Sequence, residues 1–421
     1  MQQNAGVNPA PAPAAPIAVQ PPNMPSPAAA KPAGQFEQPP VIPISDLLAA
    51  SMQSGPGFQV GQQVATNGAM GEYTITASAD VFHEDAGTYQ VESLDLLKIR
   101  LSEVPAIAQL DNMSNSTVFA KEFAVSAARP LTAAGQMVIH PMDTITGLPS
   151  GIGEFFGRVD LGAKSLAASS SVSQAAAQTG DVTLTALGYD QVRRDLARKL
   201  HVDPYSSDPI LTKRLNHVAW VMFSARITVD AAMMAVPASM IITGTEFTDD
   251  LVYQTPKADL ILLVEKKLTS FGLSKTEIAS FTHNNAIPLS LQVAAVRQLD
   301  GLGVIPGRRT AAVALGNALT EYQARFLVTS LSMLGQWSTQ KSPINKIQVT
   351  GVLVARDQNG TTIIPAPVDY LSWTPRIAGF ATNSQLLAKQ NRVLWITGKM
   401  TALAQQQLTA SGWTVQQRSQ L

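Results

Sequence analysis

The sequence predicts an α+β fold that is predominantly helical, with a helical core, a small C-terminal mixed α/β sheet unit and a disordered Pro/Ala-rich N-terminus. Three observations carry that expectation. Apolar residues recur at helical spacing through most of 182–342, two β-branched runs flank Asn359-Gly360, and Pro, Ala and Gln dominate the first 55 residues.

Along the chain, residues 1–55 read as a tether whose low hydrophobicity and many prolines cannot offset the entropy of ordering. Residues 56–160 read as a mixed strand and helix segment. "GEYTITASADVF" has strand alternation and pairs with "TYQV", after which "SLDLLKIRLSEVPAIAQL" sets Leu94, Leu97, Leu101 and Val104 on one helical face behind Ser93 as N-cap. "STVFAKEFAVSAARP" and "LTAAGQMVI" are two further expected helices, and the Ala/Ser/Gln-rich 161–181 is an expected linker.

In the expected helical domain, 182–342, Leu211, Leu215, Val218, Met222, Ala225 and Val229 form a stripe, with Trp220, Phe223 and Ile227 on a second face. That pattern predicts a helix buried all round. "PKADLILLVEKKLTSFG" carries the Lys-rich last turn and Gly272 of a helix end; "SKTEIASFTHN" and "PLSLQVAAVRQLDGLG" follow, and the stretch from Arg308 to Gln340 is one long helix or a broken pair. In 343–421, the Asn-Gly dipeptide predicts a hairpin, then come a helix over 375–389 and a strand–helix–strand ending long enough for one parallel crossover.

Charge and cysteine content exclude several functions. Lys plus Arg and Asp plus Glu number 30 each, so no net field draws the chain to nucleic acid or anionic lipid. The absence of Cys removes disulfides, thiolate nucleophiles and Cys-ligated metals. The most apolar stretch, 217–244, is interrupted by Arg226, Asp230 and Pro237, which argues against a transmembrane segment. The opening 40 residues lack a basic n-region and an apolar h-region. They read as a mature start from which a signal peptide was removed, which places the protein in the periplasm or outside the cell.

The most motif-like stretch is "KLHVDPYSSDPIL", 199–211. Asp203-Pro204 and Asp208-Pro209 each fit Asp at an N-cap followed by Pro at the first helical position. A cation site from Asp203, Ser206 and Asp208 lacks the acidic residues and the mid-loop Gly of an EF-type loop. The capped-connector reading therefore prevails. It puts Tyr189, Val192, Leu196 and Leu200 on the packed face of the preceding helix, and Arg193, Arg194, Arg198 and Lys199 on a solvated one, but leaves Tyr205, Ser206 and Ser207 unexplained.

"HPMDTITGLPSGIGEFFGRVD" has Gly151, Gly153 and Gly157 one residue out of the dinucleotide spacing and no Gly-Lys-Ser/Thr, so Ile152, Phe155 and Phe156 read instead as a docking surface for the core, a partner or a membrane face. None of the five His has metal-ligand spacing, and no cofactor motif is present. Glu321, Asp369 and Tyr370 are the candidate catalytic groups, because carboxylates beside a Tyr in apolar surroundings suit acid–base work.

The stretches "HPMDTITGLPSGIGEFFGRV", "GYDQVRRDLARKLHVDPYSSDPIL", "PVDYLSWT" and "LWITGKMTALAQQQLTASGWTV" resemble those of an uncharacterised family of secreted proteobacterial proteins. The resemblance spans about 90–417 and implies export without implying a catalytic residue. The resulting expectation is an exported, non-enzymatic protein that binds a protein partner, an envelope component or an apolar ligand. The alternative is a hydrolase with a site assembled from dispersed residues between the helical and C-terminal domains.

Overall fold

The computed structural model describes residues 36–116, 119, 180–229, 250–383 and 391–417. Its first departure from expectation is an N-terminal sheet. Six strands, β1 (Val41–Pro43), β2 (Ser54–Gly55), β3 (Phe58–Val60), β4 (Gln63–Thr66), β5 (Gly71–Ala77) and β6 (Gly87–Glu92), form one curled antiparallel sheet. β5 is its spine: β6 pairs along one edge, while β4 and β3 share the other, at the start and the end of β5. Strict alternation buries Gly71, Tyr73, Ile75 and Ala77 on one side of β5.

Two expectations fall with this sheet. The fold is not a helical core with one small sheet unit, because 41–92 is mostly strand. Residues 36–55, read as part of the tether, contribute β1, β2 and two short 3₁₀ turns, and Glu37 accepts from the Trp373 N–H at 2.6 Å and the Thr401 hydroxyl at 2.7 Å. The physical reason is length: β1 and β2 are too short to show an alternation of their own.

The expected β5–β6 pairing and the following helix are both present. α1 (Ala79–Phe82) is a single turn taking residues that had been read as strand, and α2 (Leu94–Ser114) starts at Ser93, whose Oγ accepts from the Leu96 N–H at 3.3 Å. α2 buries Leu97, Leu101, Val104, Ile107 and Leu110 against the sheet.

The helices of 182–342 divide between two cores. α3 (Gly180–Lys199) and α4 (Pro209–Ala225) share one core with the N-terminal sheet and α2, to which Leu196, Leu215, Met222, Tyr73 and Leu101 all belong. Six later helices join the C-terminal strands instead: α5 (Asp250–Gln254), α6 (Lys257–Ser270), α7 (Lys275–Thr282), α8 (Leu289–Gly301), α9 (Arg308–Gly316) and α10 (Glu321–Gln340). The stretch from Arg308 to Gln340 is thus a broken pair. α4 is not buried all round: Trp220 and Phe223 are half-buried and cluster edge-on with Tyr189. It ends at Ala225, capped by Arg226 in the left-handed region, so Val229 lies beyond it.

The C-terminal half matches the sequence most closely. β7 (Ile344–Val349), β8 (Leu353–Asp357) and β9 (Thr362–Ala366) form an antiparallel meander, and Gly360 in the β8–β9 turn has φ +81°. β11 (Arg392–Ile396) lies parallel to β9 and, across α12 (Ala402–Ala410), to β13 (Trp413–Gln417). Both faces of this sheet are covered, as a parallel sheet requires. Ile363 and Trp395 face the helical core, whereas Ile364, Leu394 and Ile396 pack against α11 (Pro375–Ala381) and α12. Short parallel strands β10 (Tyr370–Leu371) and β12 (Lys399–Met400) lie beside this unit, and α11 ends earlier than the expected 389. No helix among the described residues is long and apolar enough to cross a membrane. The expected helices over 116–139 lie outside the described residues except for Ser116 and Phe119, as do most of linker 161–181 and the surface Ile152, Phe155 and Phe156.

In "KLHVDPYSSDPIL" one cap reading holds and the other does not. Asp208 Oδ1 accepts from the Ile210 and Leu211 N–H groups at 2.8 and 2.9 Å, and Pro209 opens α4. Asp208→Ala is therefore expected to cost about 0.5–2 kcal/mol in urea denaturation; an unchanged midpoint would show that the cap contributes nothing. Asp203 starts no helix. It holds a turn by accepting from the Tyr205 N–H at 2.8 Å and takes the Ser290 hydroxyl on its other oxygen. Arg194, expected on a solvated face, is 5 % exposed and bonds Asp190 and the Tyr253 carbonyl.

Candidate functional site

α2, α10 and the 367–369 loop converge on a cavity of about 260 Å³. The N-terminal sheet supplies Met70, α2 supplies Asp95 and Lys98, α10 supplies Tyr322, Arg325 and Thr329, and the C-terminal unit supplies Asp369. Phe326 and Val368 complete the apolar part of the wall. The site thus depends on all three parts of the fold.

Asp369 joins these parts. It is 6 % exposed, and its Oδ2 accepts from the Gly71 N–H at 2.9 Å, the Leu94 N–H at 3.0 Å and the Tyr73 hydroxyl at 3.2 Å. One carboxylate oxygen therefore ties β5 and the first turn of α2 to the C-terminal unit. Oδ1 has no hydrogen-bond partner among the described residues. Burial pushes the Asp369 carboxyl up to about 6, against the pull of its three donors and with a further push from Asp95. Burial, then the neighbouring Asp369, also raises the Tyr73 phenol, which stays neutral and donates.

Two other buried groups in the wall have unfilled hydrogen-bonding capacity. The Thr329 hydroxyl is buried and has no partner among the described residues. Arg325, 7 % exposed, donates from Nε to Glu321 Oε1 at 2.8 Å, with Nη2 in ion-pair contact with the same oxygen at 2.7 Å, and Nη1 is unbonded among the described residues. Lys98 and Asp95, half-buried and one turn apart on α2, form no ion pair with a described residue. A concave wall on which two carboxylates, a lysine and a guanidinium converge is the candidate site.

Behind Arg325 lies a network that accounts for Ser206 and Ser207. Arg100 donates from Nη1 to Glu103 at 2.8 Å and from Nη2 to Glu321 at 2.9 Å and Ser207 Oγ at 2.5 Å. Ser206 donates to Glu103 and Ser207 to Glu321. The connector is thus a polar plug between α2 and α10, reading both carboxylates with consecutive hydroxyls. Burial opposes ionisation of Glu321, but Arg100 and Arg325 outweigh it and hold the carboxyl below the usual range. Glu103, fully buried, is pushed up to about 7 by burial despite Arg100.

A raised carboxyl pKa makes folding most favourable where the native state holds the extra proton. The Glu103 contribution is complete below the unfolded value near 4.5 and is lost as pH rises through about 7. Stability is expected to fall across that window with a slope approaching about 1.4 kcal/mol per pH unit from this group. Urea midpoints of wild type and Glu103→Gln, taken across the window, provide the check. An equally steep decline in the variant assigns the slope elsewhere.

The structure separates the three sequence candidates. Asp369 lines the cavity; Glu321 lies one layer behind it, bonded to Arg325; Tyr370 is not part of the lining and packs half-buried against the N-terminal core. Sequence reasoning missed Lys98, Arg100, Glu103, Arg325 and Thr329. For α2 a signal was present: Lys98, Arg100 and Glu103 interrupt a segment otherwise rich in Leu, Ile and Val. No family model matches the chain, and no curated protein or solved structure matches it.

Proposed function

We propose that the protein is an exported, non-enzymatic binding protein that holds a small polar molecule in the cavity at Asp369. The free Oδ1 of Asp369 and the basic groups of Lys98 and Arg325 in the cavity wall carry this reading. An apolar occupant would strip water from them and return no hydrogen bond, at about 1–3 kcal/mol for each group. The volume falls below the ~300–1,000 Å³ of sites for drug-sized ligands, which favours a small molecule over a chain segment. Export is supported by the Pro/Ala-rich first 35 residues and the lack of Cys.

Native mass spectrometry of gently purified full-length protein tests the reading. Wild type should retain a small non-covalent mass that Thr329→Met, which fills the cavity, loses. No adduct on either protein, together with no calorimetric binding of small polar molecules, would overturn it. A hydrolase is the second reading, favoured by Asp369 alone, whose carboxyl near pH 6 could exchange protons. Among the described residues, the hydroxyl bonded to Asp369 is that of Tyr73, which is raised and not activated. A panel of ester and glycoside substrates, turned over by wild type and not by Asp369→Asn, would favour hydrolysis instead.

A further inference from the structure

The cavity wall carries both signs of charge. Asp369 and Asp95 are close enough that Asp95 disfavours ionisation of Asp369, which marks an acidic side. Lys98 and Arg325 supply the basic groups. Glu321 does not cancel Arg325, because Arg100 shares it. Arg325 thus shares its hydrogen-bonded carboxylate with a second guanidinium and keeps Nη1 unbonded among the described residues. Had the two signs been meant for each other, Lys98 and Asp95, at i and i+3 on one helix, could have paired directly. They do not pair with each other or with any described residue.

A monovalent ligand would leave one of these sides buried without a counter-charge. We propose that the cavity selects a small zwitterion the size of a free amino acid, its ammonium held by Asp369 and Asp95 and its carboxylate by Lys98 and Arg325. Asp369 Oδ1 accepts from the ammonium, and Arg325 Nη1 donates to the carboxylate. This rests on the binding reading above and narrows it to one ligand class.

Titration calorimetry of the full chain with individual free amino acids, and with their N-acetyl and carboxamide forms, tests the assignment. At least one amino acid should bind, and masking either end should weaken it about tenfold or more, the loss expected for one charge-assisted hydrogen bond. Asp369→Asn and Lys98→Met should each cost a similar factor. Lys98 is half-buried and has no ion-pair partner among the described residues, so its variant keeps the test usable if Asp369→Asn does not fold. Equal binding of a masked form overturns the zwitterion assignment. So does an occupant retained in native mass spectrometry that no amino acid displaces, and in that case the binding reading survives. No occupant and no calorimetric signal overturns both.

Discussion

Arg100→Met lowers the free energy of unfolding by about 3–5 kcal/mol, the cost typical of removing one partner from a buried ion network. Arg100 is the side chain that reaches Glu103 and Glu321 together, at 2.8 and 2.9 Å. Met fills similar space, so the loss reports charge and hydrogen bonding more than volume. Glu103 is left with the Ser206 hydroxyl, in a site where burial already opposes its ionisation. The double variant Arg100→Met/Glu103→Gln should recover part of the loss, because it removes the uncompensated carboxylate along with its partner. Urea denaturation of the three proteins supplies the numbers. A single variant within about 1 kcal/mol of wild type would mean that water serves the network, and the polar-plug description would be abandoned.

Gly398→Ala is the second large effect and acts on the cavity directly. A Cβ at this position would lie well inside contact distance of the Val368 and Asp369 carbonyl oxygens, which are backbone and cannot rotate away. Gly398 itself lines the cavity, and the next residue, Lys399, donates its N–H to the Asp369 carbonyl at 3.1 Å. The substitution should cost about 3 kcal/mol, the upper range for overpacking. It should also shift the 367–369 loop, so that any bound small molecule is lost even where the protein stays folded. Thermal unfolding with native mass spectrometry separates the two effects. A variant as stable as wild type and still carrying the adduct would show that the loop is not held where the structure places it.

The C-terminal unit was legible because its signals are local. Asn359-Gly360 specifies a hairpin turn by backbone conformation, and the final strand–helix–strand segment is long enough for its own parallel crossover. The start of α4 was equally legible, since Asp208 and Pro209 meet the needs of a helix N-terminus without help from the rest of the chain. Asp203-Pro204 has the same two residue types and no helix after it. There Asp203 Oδ1 accepts from the Tyr205 N–H in a turn, while Ser290, far along the chain, ties down the other oxygen.

The N-terminal sheet was not legible for the opposite reason. Its outer strands run two to four residues, and they become strands by pairing with β3, β4 and β5. The division of the helices between two cores was hidden too, because helical periodicity says that a face is buried and not against what.

The sequence by itself determined the lack of cysteine chemistry, the charge balance, the hairpin, the closing crossover and the helix that begins at Pro209. Each follows from residues close together in the chain. Only the tertiary structure decided that Asp369 meets Gly71, Tyr73 and Leu94, that Arg100 reaches Glu321, and that Ser206 and Ser207 answer two carboxylates. These partners lie from 103 to 298 residues apart. A buried polar group needs a partner, but its own sequence neighbourhood does not say which one the packed chain will bring.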